Sequence, residues 1–129
     1  MEISERALTS GLTNFLGIRV VLTELDHSVV QMEIKPEYLN LFGNLHGGAY
    51  LTLADHAGGW AAMSDGRRHV TQQSNMHFLQ PVNHGVITAE SRVIRRGRKV
   101  VVVRIDITGE DGRLLATGDY TFFCVEPGT

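Results

Sequence analysis

Apolar residues recur along the chain with two different periods, and the switches between them divide it into elements. Within residues 2–16, Ile3, Ala7, Leu8, Leu12, Phe15 and Leu16 fall near a 3.6-residue repeat, which predicts a short amphipathic helix weakened by Gly11. Such a helix would lie as a flap over a larger body. Across residues 18–24 and 29–35 the pattern is strand-like, clearest where Val30, Met32 and Ile34 alternate with Gln31, Glu33 and Lys35, and Asp26, His27 and Ser28 mark the turn between the two strands. Residues 36–45 follow neither period and read as a loop. A run of Gly, Ala, Leu and Thr over residues 47–65, closed by Gly66 and then Arg67 and Arg68, predicts a long helix with a glycine stop and basic residues at its negative end. Its small side chains, such as Ala54, Ala57, Gly58 and Ala61, let other backbone approach closely, so this helix should be central and enclosed. Alternation returns in residues 70–79, 86–95, 99–108 and 114–125, and the connections 96–98 and 110–112 are short and contain Gly, as hairpins do. Two strands before the helix and four after it predict an α+β fold, a six-stranded, mostly antiparallel sheet wrapped around one long central helix.

Composition narrows the function classes. At 129 residues, the chain has the size of one domain, 1–129, with 1–16 as its N-terminal helical flap. Hydrophobic residues at 43% and charged residues at 20% fit a folded globular body. A formal net charge of −2 supplies no basic field for nucleic acid or an anionic membrane, so neither is an expected partner. The one cysteine, Cys124, excludes an intramolecular disulfide and a Cys-based zinc site. The opening Met1-Glu2-Ile3-Ser4-Glu5-Arg6 lacks the apolar run of a secretory peptide, and no stretch reaches the roughly 18 apolar residues of a membrane span. The expected location is cytoplasmic.

Chemistry concentrates in Asn40-Leu41-Phe42-Gly43-Asn44-Leu45-His46-Gly47-Gly48 and, two helical turns on, Asp55. Two glycines at the start of a helix leave backbone N–H groups open to a carbonyl oxygen, so Gly47 and Gly48 form a candidate oxyanion hole. Asp55 sits between Ala54 and His56, close to Leu51 and Ala57, where a carboxylate is costly and where burial makes it a stronger base; the alternative is a solvent-facing stripe of the helix. His46 can cap the helix, hold the loop or take part in acid/base chemistry. The six histidines show no HxxxH or HExxH spacing, and no metal is expected. No GxSxG elbow for a serine nucleophile is present, and Cys124, beside Phe122 and Phe123, reads as core. In the strand over 70–79 one face carries Thr71, Gln73, Asn75 and His77, which either meets water or sets Thr71 in a polar pocket. Six of the twelve basic residues lie between positions 92 and 104, and of these Arg96, Arg98 and Lys99 suit either a solvated hairpin tip or the phosphates of a nucleotide-bearing ligand.

The motif Asn40-x5-His46-Gly47-Gly48-x6-Asp55 resembles that of the hotdog-fold thioesterases, in particular the branch with the phenylacetate-pathway and acyl-CoA thioesterase 13-like enzymes. Val70-Thr71, Phe78-Leu79-Gln80-Pro81-Val82 and Arg96-Gly97-Arg98 extend the likeness, which covers roughly residues 15–125. The resemblance implies a hotdog fold and hydrolysis of an acyl- or aryl-acyl-CoA to free acid and CoA. Asp55 would be general base or nucleophile, and the Gly47 or Gly48 N–H would polarise the thioester carbonyl. Asn40 would orient the water or the thioester, and His46 completes the motif. Thr71 would hold the water or the carboxylate, with Gln72 or Gln73 as alternatives. Arg96, Arg98 and Lys99 would bind CoA. No cofactor is implied beyond the coenzyme A of the substrate. The site would lie between two subunits of a homodimer at least, with a homotetramer built as a dimer of dimers. Two other readings are a hotdog enoyl-CoA hydratase, which the nine-residue separation of His46 and Asp55 suits poorly, and a non-catalytic acyl-CoA binding module, against which the carboxylate argues. Phe42, Tyr50, Trp60 and Met63 could line an acyl pocket or belong to the core.

Overall fold

The computed structural model describes residues 10–126. Of the expected helical flap, Gly11–Leu16 is helix (α1), and the part before residue 10 lies outside the described residues. Strands β1 (Arg19–Glu24) and β2 (His27–Glu33) follow, then a single 3-10 turn at Pro36–Tyr38 and the long helix α2 (Gly47–Ala62). The chain finishes with β3 (His69–Phe78), β4 (Val86–Arg96), β5 (Val100–Thr108) and β6 (Leu114–Cys124). All six strands form one sheet in the order β1-β2-β4-β5-β6-β3, and every pairing is antiparallel. This is the hotdog arrangement expected from the sequence. The segment containing α2 carries the chain from near one edge of the sheet to the other, so β1 and β3 are the two open edges.

Two boundaries that bear on the packing of α2 differ from the sequence reading. The turn before β2 is Leu25 and Asp26, with Asp26 at φ 62, so His27 and Ser28 belong to the strand. An aspartate tolerates the left-handed region, and moving the turn forward places the Ser28 hydroxyl inside the core. There it lies 2.6 Å from the Ala57 carbonyl and 2.7 Å from the Ser91 hydroxyl, tying the middle of α2 to β2 and β4. Regular helix also stops at Ala62, and Met63–Asp65 tighten into a 3-10 turn. Most of the edge strand β3, which carries Thr71, is exposed on both sides.

α2 is enclosed as its small residues predict. Ala49, Tyr50, Leu53, Ala54, Ala57, Gly58, Ala61 and Ala62 are buried, and all but Gly58 share one core with Val30, Met32, Ile87, Val103, Ile105 and Phe122 of the sheet. Contact is closest at Gly58, where an added Cβ would come within 2.9 Å of the Phe122 ring. Cys124 is buried, as expected for a core position. The opposite side of α2, bearing Asp55, His56 and Trp60, is only half-buried. Among the described residues no helix is long and apolar enough to cross a membrane.

Candidate active site

Asn40 folds the loop that leads into α2. Its Oδ1 accepts the backbone N–H groups of Phe42 at 2.9 Å and Asn44 at 3.2 Å, while its own backbone pairs with Asn44 and Gly43. A short amide side chain bonding to nearby backbone stabilises such a turn. The Asn40 oxygen is thereby occupied, which leaves its NH2 group to meet a ligand. His46 then caps the helix: its Nδ1 accepts the Gly48 N–H at 3.2 Å, so the two glycines, equivalent in the sequence, become different in the structure. The Gly47 N–H, first in the helix, has no partner among the described residues and is the open donor at the positive end of α2. It borders a cavity of about 330 Å³ whose walls include Asn40, Tyr50, Phe78 and Gln80.

Asp55 lies two turns further along α2. Its Oδ1 accepts the Thr71 hydroxyl at 2.5 Å, and its other oxygen has no partner among the described residues. Thr71 sits opposite Phe122 at a bulge, after which the register resumes at Gln73 and Thr121; such an irregularity re-aims side chains at a strand edge. Of the three residues that sequence reasoning left open, Thr71 is the one that touches Asp55. Gln72 instead accepts a hydrogen bond from the Thr121 hydroxyl. Asp55 is half-buried, neither sealed in the core nor on a freely solvated stripe. It borders a cavity of about 350 Å³, with His56, Trp60, Met63, His69 and Phe122 in the wall. Burial pushes the imidazoles of His56 and His69 below their ordinary values, against the pull of Asp55 on the first and of the Arg67 carbonyl on the second. The sequence reading gave neither histidine a role; the signal that was present is the four-residue spacing of His56 and Trp60, which puts them on one face of the helix.

Eight residues separate Gly47 from Asp55, about 12 Å along α2. No single thioester carbonyl bound to one chain can reach both. The chain carries a donor site at the start of the helix and a carboxylate site in its middle, with a separate cavity at each.

The basic hairpin divides in two. Arg98 and Lys99 are exposed at its tip. Arg96, expected beside them as a phosphate ligand, turns inward and its side chain is only 19% exposed. Its guanidinium donates to the Ala61 and Ala62 carbonyls at 2.9 Å and pairs with Asp26 and Asp65 at 2.8 Å. Those carbonyls belong to the last two residues of α2, so Arg96 supplies the positive charge at the helix end that the sequence reading had assigned to Arg67 and Arg68. Burial raises the affinity of the Asp65 carboxyl for a proton, but hydrogen bonds from Arg67 and the charges of Arg96 and Arg67 outweigh it and hold the group below the usual carboxylate range. We expect Arg96→Met to lower the unfolding free energy by about 2–3 kcal/mol, less than for a sealed ion pair because Asp26 is well exposed. The denaturant midpoint reads this loss. Because the Asp65 carboxyl is depressed in the folded state, its contribution is complete above the ordinary carboxylate pKa of about 4 and disappears as the pH falls through the folded value. The gap between wild type and Arg96→Met should therefore narrow on acidification below about pH 4.

Comparison with known proteins places these features among relatives. The family description "Thioesterase superfamily" matches residues 42–116. A Saccharolobus solfataricus protein, provisionally assigned as an esterase, is 37% identical over 102 residues, spanning 78% of this chain and 73% of its own. The acyl-coenzyme A thioesterase PaaI of Escherichia coli is 30% identical over 102 residues, 78% of this chain and 73% of that protein. Its solved structure superimposes with a TM-score of 0.89 at 25% identity, covering 92% of this chain and 87% of that one. A thioesterase-like protein of Streptococcus pneumoniae, solved with coenzyme A, has a TM-score of 0.81 at 29% identity over 87% of this chain and 88% of that one. It was also solved with an aspartate and, separately, a threonine replaced by alanine, two residues spaced along its chain as Asp55 and Thr71 are here.

Proposed function

The chain belongs to the thioesterase superfamily, which makes it a thioester hydrolase, and from that premise we propose that it cleaves acyl-CoA to free acid and CoA in a site shared between two subunits. The observation that carries this reading is the Thr71–Asp55 hydrogen bond, which fixes one carboxylate oxygen and leaves the other unpartnered beside the cavity. The free oxygen takes a proton from water as the water oxygen bonds to the thioester carbonyl carbon. The carbonyl oxygen gains negative charge and is met by the Gly47 N–H of the second subunit, with the Asn40 NH2 orienting the thioester. Collapse breaks the C–S bond, and the departing thiolate takes the proton from Asp55. In the nucleophilic variant Asp55 attacks first and water opens the resulting anhydride; both use the same atoms. The PaaI relative named as an acyl-CoA thioesterase and the coenzyme A complex of the Streptococcus pneumoniae relative support the choice of substrate. Release of free thiol from a panel of acyl-CoA compounds tests it, and no release from any member would end the acyl-CoA reading.

Two surfaces support a dimer. β3 is an edge strand with unpaired backbone groups and with Val70 and Phe78 about half exposed, and edges of this kind are usually covered. On the loop before α2, Leu41 is 99% exposed and Phe42 88% exposed, beside Asn40 and the open Gly47 N–H. Pairing two copies across β3 would cover both surfaces and bring the donor site of one chain to the carboxylate of the other. A tetramer would pair two such dimers.

Arg98 and Lys99, without Arg96, are the side chains we assign to the CoA phosphates. The double variant Arg98→Ala with Lys99→Ala should raise KM for acyl-CoA several-fold, with a much smaller change in kcat, and should weaken the salt dependence of kcat/KM. An unchanged KM would return both residues to a solvated turn.

A further inference from the structure

The cavity beside Asp55 holds a polar group that the proposed hydrolysis does not use. His56 follows Asp55 on α2, and its Nε2 lies 3.1 Å from the Trp60 Nε1 one turn further along. An indole N–H can only donate, so His56 Nε2 accepts and carries no proton. The ring proton therefore sits on Nδ1, and burial keeps the imidazole neutral in that tautomer. Nδ1 bonds to none of the described residues. Yet among them the one side-chain nitrogen or oxygen that is both unpartnered and sealed from solvent is His69 Nε2. The His56 Nδ1–H is thus unpartnered and open, in a residue that lines this cavity. Trp60, Met63, Val70 and Phe122 make much of the remaining wall apolar. A fixed donor in such a wall favours a ligand that brings an oxygen to it and is left unpaired by a hydrocarbon.

We propose that His56 is a specificity-determining residue whose Nδ1–H, locked by Trp60, selects acyl groups with an oxygen acceptor close to the thioester over the matching hydrocarbon. His56 and Asp55 line the same cavity, which places the selected oxygen within a few bonds of the scissile carbonyl. The inference rests on the acyl-CoA reading above.

The test is kcat/KM, measured by thiol release with the full chain, for hexanoyl-, 3-hydroxyhexanoyl- and 3-oxohexanoyl-CoA. Wild type should favour the better of the two oxygenated substrates by at least about tenfold, the scale of one hydrogen bond that is made or left unmade. In His56→Leu that ratio should fall to within about threefold of one. In His56→Asn, whose amide N–H takes the place of Nδ1–H, the ratio should survive, and in Trp60→Phe, which frees the tautomer, it should lie between. A purely structural His56 would lower all three rates together and leave the ratio unchanged, which overturns the proposal. Equal rates in wild type overturn it too. Should His56→Leu fail to fold by circular dichroism, the pair His56→Asn and Trp60→Phe decides: a ratio kept in the first and reduced in the second supports the proposal, and any other result overturns it. Thiol release without preference removes this inference alone, whereas no release from any acyl-CoA removes the acyl-CoA reading as well.

Discussion

Asp55→Asn should lose on the order of 10² or more in kcat, the scale of a positioned acid/base group. The substitution is conservative in every respect but one. An asparagine Oδ1 still accepts the Thr71 hydroxyl, which lies 2.5 Å from the present carboxylate oxygen, so the local packing and the edge of the cavity remain. What changes is the other, unpartnered position, where an NH2 group replaces a proton acceptor. Folding should be retained, because an amide is cheaper to desolvate than a carboxylate. Thr71→Val is the companion: it keeps the side chain's shape, removes the hydroxyl and frees the carboxylate to rotate, so it should lower kcat less than Asp55→Asn does. Near-normal turnover by Asp55→Asn in a folded oligomer would show that the base is another group.

Much of this architecture was legible in the sequence because its signals are local. The small-residue run of α2 and the alternating strands each stand out within a dozen residues, and their order leaves few ways to build a sheet around one helix. The boundary errors have one origin. His27 and Ser28 look like turn residues, but the left-handed backbone at Asp26 completes the turn a residue earlier, and the Ser28 hydroxyl is satisfied by Ala57 and Ser91, which are distant in sequence. Arg96 is the same case at the site. Three basic residues within four positions look alike along the chain, and only folding brings Asp26, Asp65 and the end of α2 to one of them. For β3 the sequence left the Thr71 face open between water and a polar pocket, because only folding brings Thr71 to Asp55, sixteen residues away. The motif located the candidate groups at Asn40, Gly47 and Asp55, while the His46 cap that distinguishes Gly47 from Gly48 depends on side-chain geometry that spacing does not contain.

Gly47→Pro should lower kcat by roughly 10²–10³, the cost of one oxyanion-hole donor, while leaving the helix intact. The expected tolerance follows from position. Gly47 is the first residue of α2 and its N–H is unpartnered, and proline is favoured at that position because it removes a donor the helix does not use. His46 already has the extended backbone, φ −64 and ψ 136, that a following proline requires. An added Cβ at Gly47 meets the Phe78 ring at an ordinary 3.6 Å. The substitution therefore isolates one N–H group. Combined with Asp55→Asn it also tests the shared site. When the two variants are co-expressed and assemble at random, about half the dimers are mixed. If Gly47 of one chain serves Asp55 of the other, each mixed dimer holds one site with both defects and one with neither. Activity should then recover to about a quarter of wild type, far above either variant alone. If both groups act within one chain, every site carries a defect and mixing restores nothing. The roughly 12 Å between the two groups along α2 makes recovery the expected outcome.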